Sequence, residues 1–334
     1  MTELTAAVIG LGSMGANHAR VLADLSGVRL IAVCDADPER AASAGLRYGV
    51  PAFTDARDLL YTKPDLVSVV VPTGVHEAVA VAALAGGASV LVEKPIAGDL
   101  PAARRIASAA RPPAILAVGH IERFNPAVHE LKQRLRAGQG GRVLQLQARR
   151  VGPFPHRIRD VGVIHDLAPH DIDIMRYLLE DEIVTVYANA ETHINTDNED
   201  LFVGLLHFAG GALGVLDINW LTPTKQRALT VLCAKGMFVV DYAAQSLTFY
   251  ENFAAVAREG AIASVTEGPM TRYPIAYQEP LRLELEAFRD ALLAGGPAPV
   301  SAGDGIAALA VSEALVQSAR DHLPVAVSAS VLGR

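Results

Sequence analysis

The side chains best suited to chemistry in this sequence lie between Asp166 and Asp173. Asp166, His170 and Asp173 recur at positions i, i+4 and i+7, which share one face of a helix. A histidine one turn into a helix, with a carboxylate one turn away, can act as a general base. Because Pro169 is tolerated only in a first helical turn, we expect Asp166 at or near the N-cap. A capping aspartate, a hydrogen-bonded structural histidine and a solvated acidic face explain the same residues without catalysis.

Lys94 is the second candidate, in the tripeptide Glu93-Lys94-Pro95 after an apolar run. A lysine at the end of a parallel strand can hydrogen-bond a substrate hydroxyl, or transfer protons if its surroundings lower its pKa. A surface lysine that follows a strand is the simpler explanation of the tripeptide taken alone.

A divalent metal is an alternative for residues 165–173, where two histidines and three aspartates crowd together. Their spacing matches no zinc signature. The two cysteines, Cys34 and Cys233, cannot form a disulfide framework and lack metal-ligand spacing. We therefore expect no metal, and a buried, inert thiol at Cys34.

The elements that must position these groups begin with a dinucleotide-binding pattern. The apolar run Ala6–Ile9 is followed by Gly10-Leu11-Gly12-Ser13-Met14-Gly15 and then by the helical pattern Ala16–Leu25. A second apolar run ends in Asp35, twenty residues after the last of these glycines. Strand, glycine turn, helix and spaced acid together indicate a dinucleotide site, which a glycine-rich turn alone does not.

Each part of this pattern has a physical role. Gly10 permits the tight turn, Gly12 lets the backbone approach a pyrophosphate, and Gly15 lets helix and strand pack closely. Asp35 can accept hydrogen bonds from the adenosine ribose and repels a 2′-phosphate, which favours NAD over NADP. Arg40 weakens that preference.

Strand-like and helix-like stretches alternate through residues 1–121, which predicts a parallel, doubly wound sheet. Ligands bind such sheets at the carboxyl ends of the strands. The loops expected there are Gly10–Gly15, Pro72–His76, Glu93–Pro95 and Gly119–Asn125.

Beyond about residue 122 the pattern changes to extended segments joined by turn signals, which predicts a mostly antiparallel sheet with helices on one face. The predicted strands are Arg142–Arg150, Ile183–Glu191, Leu201–Phe208, Ala212–Trp220, Gln226–Ala234, Met237–Tyr242 and Ser246–Tyr250. We expect helices at Pro126–Ala137, Asp166–Leu179, Pro280–Ala294 and Asp304–Arg320, and irregular structure at Val256–Tyr277. The fold class is therefore α/β, with an NAD-binding Rossmann domain at 1–121 and an α+β domain at 122–334 for substrate binding and oligomerisation.

Composition narrows the classes of function. The 334 residues are 51% hydrophobic and 19% charged, which is typical of a globular chain with room for two domains. A net charge of −7 without a basic run argues against nucleic-acid binding. The apolar stretch Val67–Val92 is interrupted by Pro72, His76 and Glu77, so we expect no membrane span. We expect no secretory leader either, and a cytoplasmic location.

Several of these motifs, taken in order, resemble the Gfo/Idh/MocA family of sugar-modifying dehydrogenases. They are Gly10–Gly15 with Asp35, Pro72-Thr73 with His76, Glu93-Lys94-Pro95, and Asp166 with His170 and Asp173. The resemblance covers nearly the whole chain and implies that Lys94, Asp166 and His170 are catalytic. It also implies that NAD contacts the glycine turn, Asp35, Pro72, Thr73, His76, Glu93, Lys94 and Asn125. The family often has a Gly-Gly pair before the aspartate, whereas this chain has Asp160-Val161-Gly162.

A narrower resemblance is to the family branch that oxidises the 3-hydroxyl of UDP-N-acetylglucosamine to a ketone, before an aminotransferase acts. It rests on Gly119–Pro126, Gly152–Ile158 and Asn219–Arg227. It implies a substrate site made of Lys94, Arg123, Asn125, Arg157, Asp166, His170, Trp220, Lys225 and Arg227. Arginine and lysine can bind a diphosphate, and a tryptophan can stack on a ring. A rim charge or a buried tryptophan explains each residue individually.

We therefore hypothesise hydride transfer from a sugar carbon to NAD. His170, alone or relayed with Lys94, removes the hydroxyl proton; Asp166 orients His170, and Lys94 stabilises the developing alkoxide. The alternatives are a dehydrogenase for another UDP-sugar, a free sugar or an inositol, a non-catalytic NAD-dependent sensor, and a metal-dependent lyase or hydrolase. Apolar residues at Leu213–Leu216 predict a homodimer or homotetramer formed through the second domain's sheet.

Overall fold

A computed structural model describes residues 3–155, 162–194, 197–254 and 265–327. Contacts divide the chain into two compact units. The first comprises residues up to 121 together with 279–309, and the second comprises 122–278 together with the described residues from 310 onward. The assignment of cofactor binding to 1–121, and of substrate binding and oligomerisation to 122–334, stays a prediction.

The first unit is built on a six-stranded sheet in the order β3-β2-β1-β4-β5-β6. Its elements are β1 (Leu4–Ile9), α1 (Ser13–Asp24), β2 (Val28–Cys34), α2 (Pro38–Tyr48), β3 (Ala52–Phe53), α3 (Ala56–Leu60), β4 (Leu66–Val69), α4 (His76–Ala85), β5 (Ser89–Glu93), α5 (Leu100–Ala109) and β6 (Leu116–Gly119). All neighbouring strands pair in parallel. The predicted doubly wound parallel sheet is confirmed.

The central strands are apolar because both faces of this sheet are covered. Every residue of β4 and β5 is buried, which is the pattern expected of parallel strands between two layers of helices. Three helices start at aspartates whose carboxylates accept backbone N–H groups of the first turn. These caps, at Asp37, Asp55 and Asp99, fix where each strand-to-helix loop ends.

The second unit contains a nine-stranded sheet in the order β14-β13-β12-β11-β7-β10-β9-β8-β15. The remaining elements of the chain are α6 (Pro126–Arg136), β7 (Val143–Pro153), α7 (Val163–Asp166), α8 (Ala168–Leu179), β8 (Ile183–Glu191), β9 (Leu201–Phe208), β10 (Leu213–Asn219), β11 (Leu221–Cys233), β12 (Gly236–Asp241), β13 (Ser246–Ala254), β14 (Val265–Tyr273), α9 (Pro280–Ala294), α10 (Ala302–Asp321) and β15 (Val325–Ala326). Among the strands described, β7 and β10 pair in parallel and all other neighbours are antiparallel. The predicted mostly antiparallel sheet is confirmed, and the turns at Ala209–Gly211 and Lys235-Gly236 connect antiparallel strands.

One face of this sheet forms the core of the second unit and the other is exposed. Along β9, Phe202, Leu206 and Phe208 are buried, whereas the alternate residues Val203 and Leu205 are about half exposed. The alternation explains how the sequence pattern predicted this strand with its observed bounds.

The prediction of irregular structure at Val256–Tyr277 is wrong for part of that range, because Val265–Tyr273 forms β14. The strand exists because it pairs with β13, and the register shifts where Gly268 and Pro269 fall opposite residues 250–252. The helix predicted from about Asp166 to Leu179 is confirmed as α8, which begins at Ala168; a separate short helix, α7, precedes it and ends at Asp166.

Helix α9 belongs to the first unit although it follows the second in sequence. Leu281, Leu285 and Phe288 join a core cluster that includes residues of α1, β1 and β2. At its N-terminus, Glu279 forms an ion pair with Arg20 of α1. The first unit is therefore not contiguous in sequence.

Candidate active site

The glycine turn has the geometry that a bound pyrophosphate requires. Gly10 has φ +94°, and a Cβ there would overlap the Val70 carbonyl. A Cβ at Gly15 would overlap the Gly10 carbonyl, whereas one at Gly12 would meet no atom within 4 Å. Gly12 N-caps α1, and no side chain caps that helix. Two glycines therefore pack the turn, and the third leaves open space beside the helix N–H groups, which fits a phosphate.

Asp35, at the end of β2, is held against the same turn. Its carboxylate accepts the backbone N–H of Leu11 at 2.6 Å and that of Asp37 at 2.9 Å. The residue is 8% exposed. A carboxylate oxygen has a second lone pair, so these bonds orient the acid without exhausting its capacity to accept ribose hydroxyls. The turn and Asp35 thus fit the adenosine and pyrophosphate parts of NAD, with Ser13 and Met14 opening α1 beside them.

His76, predicted to contact the cofactor, is buried between two backbone carbonyls. Its Nδ1 lies 3.0 Å from the Pro95 oxygen, and its Nε2 lies 2.9 Å from the Val71 oxygen. Burial lowers the pKa of His76, with the carbonyl contacts acting in the opposite direction. The ring ties the Pro72–Val75 turn to the segment after Lys94. Contact of Pro72, Thr73 and His76 with NAD stays a prediction.

A chain of buried hydrogen bonds connects α1 to the backbone of Lys94. His18, on the inner face of α1, places Nδ1 3.1 Å from Ser68 Oγ and Nε2 3.1 Å from Glu93 Oε1. The other Glu93 oxygen accepts the backbone N–H of Lys94 at 3.1 Å. Burial opposes ionisation of Glu93, but the bond from His18 and the charge of Lys94 outweigh it and lower its pKa. A Cβ at Gly119 would lie 3.2 Å from the Glu93 carboxyl carbon, so glycine leaves room for that carboxylate.

Sequence reasoning missed His18. The only available signal was its place on the apolar face of α1, one turn before Val21 and Leu22. A polar side chain at such a position needs a buried partner, and neither Ser68 nor Glu93 is near it in sequence.

In the second unit, Asp166 and His170 lie on either side of a break between two helices. Asp166 is the last residue of α7, whose N-cap is Gly162, and its backbone N–H donates to the Gly162 oxygen at 3.1 Å. The prediction that Asp166 lies at or near the N-cap of this helix is confirmed: the N-cap of α8 is the next residue, Leu167, which caps the helix without a side chain. Pro169 lies in the first turn of α8, as predicted, and Asp166 and His170 are both half-buried.

The start of α7 is fixed by Glu199. Its backbone oxygen accepts the N–H of Val163 at 3.0 Å, and its carboxylate accepts the N–H of Ile164 at 3.0 Å. That carboxylate occupies the space into which a Cβ of Gly162 would project. Because residue 162 is a glycine, there is room for the Glu199 carboxylate, which anchors the segment that carries Asp166. Glu199 was not among the residues predicted to form the site.

Two buried ion pairs hold α8 below His170. Arg150 donates to both oxygens of Asp171, at 2.7 and 2.9 Å, and to Glu122 at 3.0 Å. Arg123 donates to both oxygens of Asp173, at 2.7 and 2.6 Å. The side chains of both aspartates are 1% exposed. Asp173 therefore anchors its helix, and a substrate contact for Arg123 stays a prediction.

Asn125, also predicted to contact ligands, has structural partners at both ends of its amide. Its oxygen caps α6 by accepting the Ala127 N–H at 3.1 Å, and its nitrogen donates to the Tyr242 carbonyl at 3.0 Å. The residue is 2% exposed. Its contact with NAD or substrate stays a prediction.

Arg227, predicted to bind an anionic substrate, lies on β11 opposite Arg150 of β7. It donates to the Val151 carbonyl at 2.7 Å and is half-buried. Burial and the neighbouring Arg150 lower its pKa, while Asp171, Glu122 and Asp166 act in the opposite direction. Arg227 and Asp166 therefore lie in each other's electrostatic field.

The other predicted substrate residues differ in their surroundings. Lys225 is exposed on β11, two residues before Arg227. Trp220 is 3% exposed and packs edge-to-face on Phe154, with ring centroids 5.5 Å apart. Arg157 lies outside the described residues. Substrate contact for all three stays a prediction.

Within the described ranges, no three His, Cys, Asp or Glu side chains are arranged to hold a metal ion. No helix in that part of the chain has the length and apolar character needed to cross a membrane.

Comparison with known proteins identifies the chain. The profile for "Oxidoreductase family, NAD-binding Rossmann fold" matches residues 4–120, and that for "GFO/IDH/MocA C-terminal domain" matches residues 128–239. The chain belongs to the Gfo/Idh/MocA family. It is an NAD-dependent dehydrogenase, and the fit of the glycine turn and Asp35 to the cofactor agrees with that membership.

Similar family members carry different names. UDP-N-acetylglucosamine 3-dehydrogenase of Acidithiobacillus ferrooxidans is 31% identical over 318 residues, 95% of this chain and 96% of that protein. Inositol 2-dehydrogenase 2 of Saccharopolyspora erythraea is 33% identical over 324 residues, 93% of this chain and 91% of that protein. A solved structure of the Acidithiobacillus enzyme GnnA superposes with a TM-score of 0.85 at 29% identity, covering 96% of this chain and 99% of that one.

Proposed function

We propose that this dehydrogenase oxidises the 3-hydroxyl of UDP-N-acetylglucosamine to the 3-keto sugar, which a transaminase then uses. The observation that carries the proposal is Arg227, a half-buried guanidinium whose pKa is lowered by burial and by the charge of Arg150. A cation in that setting is stabilised by an anionic ligand. A nucleotide diphosphate supplies that charge, whereas an inositol carries none. Exposed Lys225 on the same strand adds a second cation.

Similar proteins include both a UDP-sugar dehydrogenase and an inositol dehydrogenase, so the comparisons are compatible with a UDP-sugar substrate but do not exclude an inositol. UDP-N-acetylglucosamine 3-dehydrogenase matches 95% of this chain at 31% identity. Inositol 2-dehydrogenase 2 matches 93% of it at 33% identity. Oxidation of an inositol is therefore the second candidate function.

The proposed chemistry uses Lys94, Asp166 and His170. Bound NAD supplies the hydride acceptor. An unprotonated ring nitrogen of His170 takes the proton of the substrate hydroxyl, so the alcohol loses one hydride and one proton to become a ketone. The Lys94 ammonium donates a hydrogen bond to the oxygen as its negative charge develops. Asp166, at the end of α7, orients His170 and stabilises its protonated ring.

We further propose a cytoplasmic homodimer or homotetramer formed through the exposed face of the nine-stranded sheet. Val203, Leu205 and Leu213 are 47%, 51% and 49% exposed on adjacent strands of that sheet. Contiguous apolar side chains on a sheet face are typical of a protein–protein contact.

The test is reduction of NAD, followed by its absorbance, with UDP-N-acetylglucosamine, N-acetylglucosamine, another UDP-hexose and myo-inositol offered separately. We expect turnover with UDP-N-acetylglucosamine, and product that gains deuterium at carbon 3 after borodeuteride reduction. Arg227→Gln should raise KM for the UDP-sugar by about tenfold, since one charge-assisted hydrogen bond is lost. Arg104→Gln, which removes an exposed guanidinium from α5 in the first unit, is the control.

Other outcomes overturn the proposal. If the free sugar or myo-inositol is turned over as fast as UDP-N-acetylglucosamine, the enzyme does not need an anionic substrate. That result favours inositol oxidation, the second candidate function. Tight NAD binding without turnover on any member of the panel favours a sensor.

A further inference from the structure

Arg40, in the first turns of α2, is held by two carboxylates. Its Nε donates to Asp37 Oδ2 at 2.9 Å, and its Nη1 lies 3.6 Å from Asp35 Oδ2. The guanidinium is nevertheless 54% exposed. The positive charge of Arg40 therefore lies beside Asp35, the acid expected to bind the adenosine ribose. That charge is already paired with two carboxylates of the protein.

The Asp37 carboxylate is fixed in this arrangement by the helix it caps. Its Oδ1 accepts the N–H groups of Glu39 at 3.0 Å and Arg40 at 3.3 Å, which leaves Oδ2 directed at the Arg40 side chain. The hydrogen bond with Arg40 lowers the pKa of Asp37 and raises that of Arg40. Both groups stay charged at neutral pH.

A cavity of about 410 Å³ opens beside this pair, between α1 and α2. Its wall includes Leu11, whose backbone N–H is bound by Asp35. Arg40, Ser43 and Arg47 line it as well, together with the acids Asp37 and Glu39. Two guanidinium groups and a hydroxyl are the donors with which proteins bind phosphate. The cavity thus has the donors for a phosphate on the ribose. Arg40, which lies beside Asp35, is however already paired with Asp37.

We propose that Asp37 is a second determinant of the preference for NAD over NADP, because it holds Arg40 away from a latent 2′-phosphate subsite between α1 and α2. Asp35 repels a 2′-phosphate directly and also anchors the glycine turn. Asp37 acts indirectly, by pairing with Arg40, a cation adjacent to Asp35 that could otherwise receive that phosphate.

The test is isothermal calorimetry of NAD and NADP binding to the full chain, without any sugar. Asp37→Asn keeps an oxygen that caps α2 but removes the charge that holds Arg40. We expect the ratio of the two dissociation constants, NADP over NAD, to fall by about tenfold, because the released Arg40 gains one charge-assisted hydrogen bond to the 2′-phosphate. Asp37→Ser, which also caps helices, should give the same direction.

Two further variants identify the cause. Asp58→Asn removes an equal charge from an exposed position of α3 in the same unit, outside the cavity lining, and should change the ratio by less than about twofold. Adding Arg40→Gln to Asp37→Asn should restore the original ratio. The proposal is overturned if Asp37→Asn leaves the ratio unchanged, if Asp58→Asn has the same effect, or if the double variant keeps the gain. Because only cofactor binding is measured, these outcomes are independent of which sugar the enzyme oxidises.

Discussion

His18 Nε2 lies 3.1 Å from Glu93 Oε1, which joins the helix of the glycine turn to the strand that ends at Lys94. With a proton on Nε2 the ring donates to Glu93, and the Ser68 hydroxyl can donate to Nδ1. The cofactor turn and the Lys94 segment are thus connected by buried side chains within one unit.

Replacing His18 should therefore disturb Lys94 as well as the core. We expect His18→Leu to lower the free energy of unfolding by about 1–3 kcal/mol, because the Glu93 carboxylate loses its buried donor. We also expect kcat to fall by about 10- to 100-fold as the Lys94 segment shifts, with KM changing less. Urea unfolding and steady-state kinetics measure the two effects. Ser68→Ala, which spares the bond to Glu93, should have the smaller effect on kcat; equal losses would contradict a path through Glu93.

Removal of the proposed proton-transfer groups should separate binding from catalysis. Lys94→Met and His170→Gln should bind NAD with nearly unchanged affinity, whereas kcat falls by about 10²- to 10⁴-fold. Calorimetry with NAD and initial-rate kinetics give the comparison. Near-normal turnover in either variant would refute the role assigned to that residue.

Alanine substitutions at Gly12 and Gly15 of the cofactor turn should have different effects on cofactor binding and stability. A Cβ at Gly12 meets nothing in the protein, so Gly12→Ala should fold normally but bind NAD at least about tenfold more weakly, because the methyl group occupies the phosphate's space. A Cβ at Gly15 would overlap the Gly10 carbonyl, so Gly15→Ala should lower the melting temperature even without cofactor. Thermal unfolding with and without NAD distinguishes them. Loss of stability in Gly12→Ala would show that this glycine packs the turn instead.

Adjacent arginines on β7 offer a matched test of buried and exposed ion pairs. Arg150 pairs with Asp171 in the core, whereas Arg149 pairs with partly exposed Asp217 at 3.1 Å. Asp171→Asn should destabilise the protein by about 3–5 kcal/mol because it leaves a buried charge without its full complement. Asp217→Asn should cost about 0–1 kcal/mol. Urea denaturation of both variants checks this, and similar costs would contradict the assignment of Asp171 as an anchor of α8.

Stability should fall on mild acidification because of His76. Its folded pKa is lowered by burial, so the unfolded chain binds more protons once the pH drops below the ordinary value of 6.5. The stabilisation is therefore complete above that pH and is lost progressively below it. Urea unfolding between about pH 5 and 7.5 should show this slope, and His76→Asn should reduce it. An unchanged slope in the variant would assign the acid sensitivity to other groups.

Much of the fold follows from local signals in the sequence. The extended segments predicted at Ile183–Glu191 and Leu201–Phe208 have the bounds of β8 and β9, and the amphipathic pattern predicted α9. The glycine turn and Asp35 were predictable because their roles are set by backbone geometry within one βαβ unit.

The features that escaped prediction depend on partners distant in sequence. β14 exists through its pairing with β13, against the local preference of Gly268 and Pro269. The break at Leu167 accompanies the anchoring of Val163 and Ile164 by Glu199. Neither contact leaves a periodic signal, so residue type alone could not reveal it.

Helix α9 has a consequence for how the protein is made. Its Leu281, Leu285 and Phe288 cover the same apolar cluster as Ala19 and Leu22 of α1, yet the ribosome synthesises residues 122–278 in between. We therefore expect residues 1–121 to leave part of this core exposed to water until α9 has been translated, and to be open in the meantime to chaperones that recognise apolar surface.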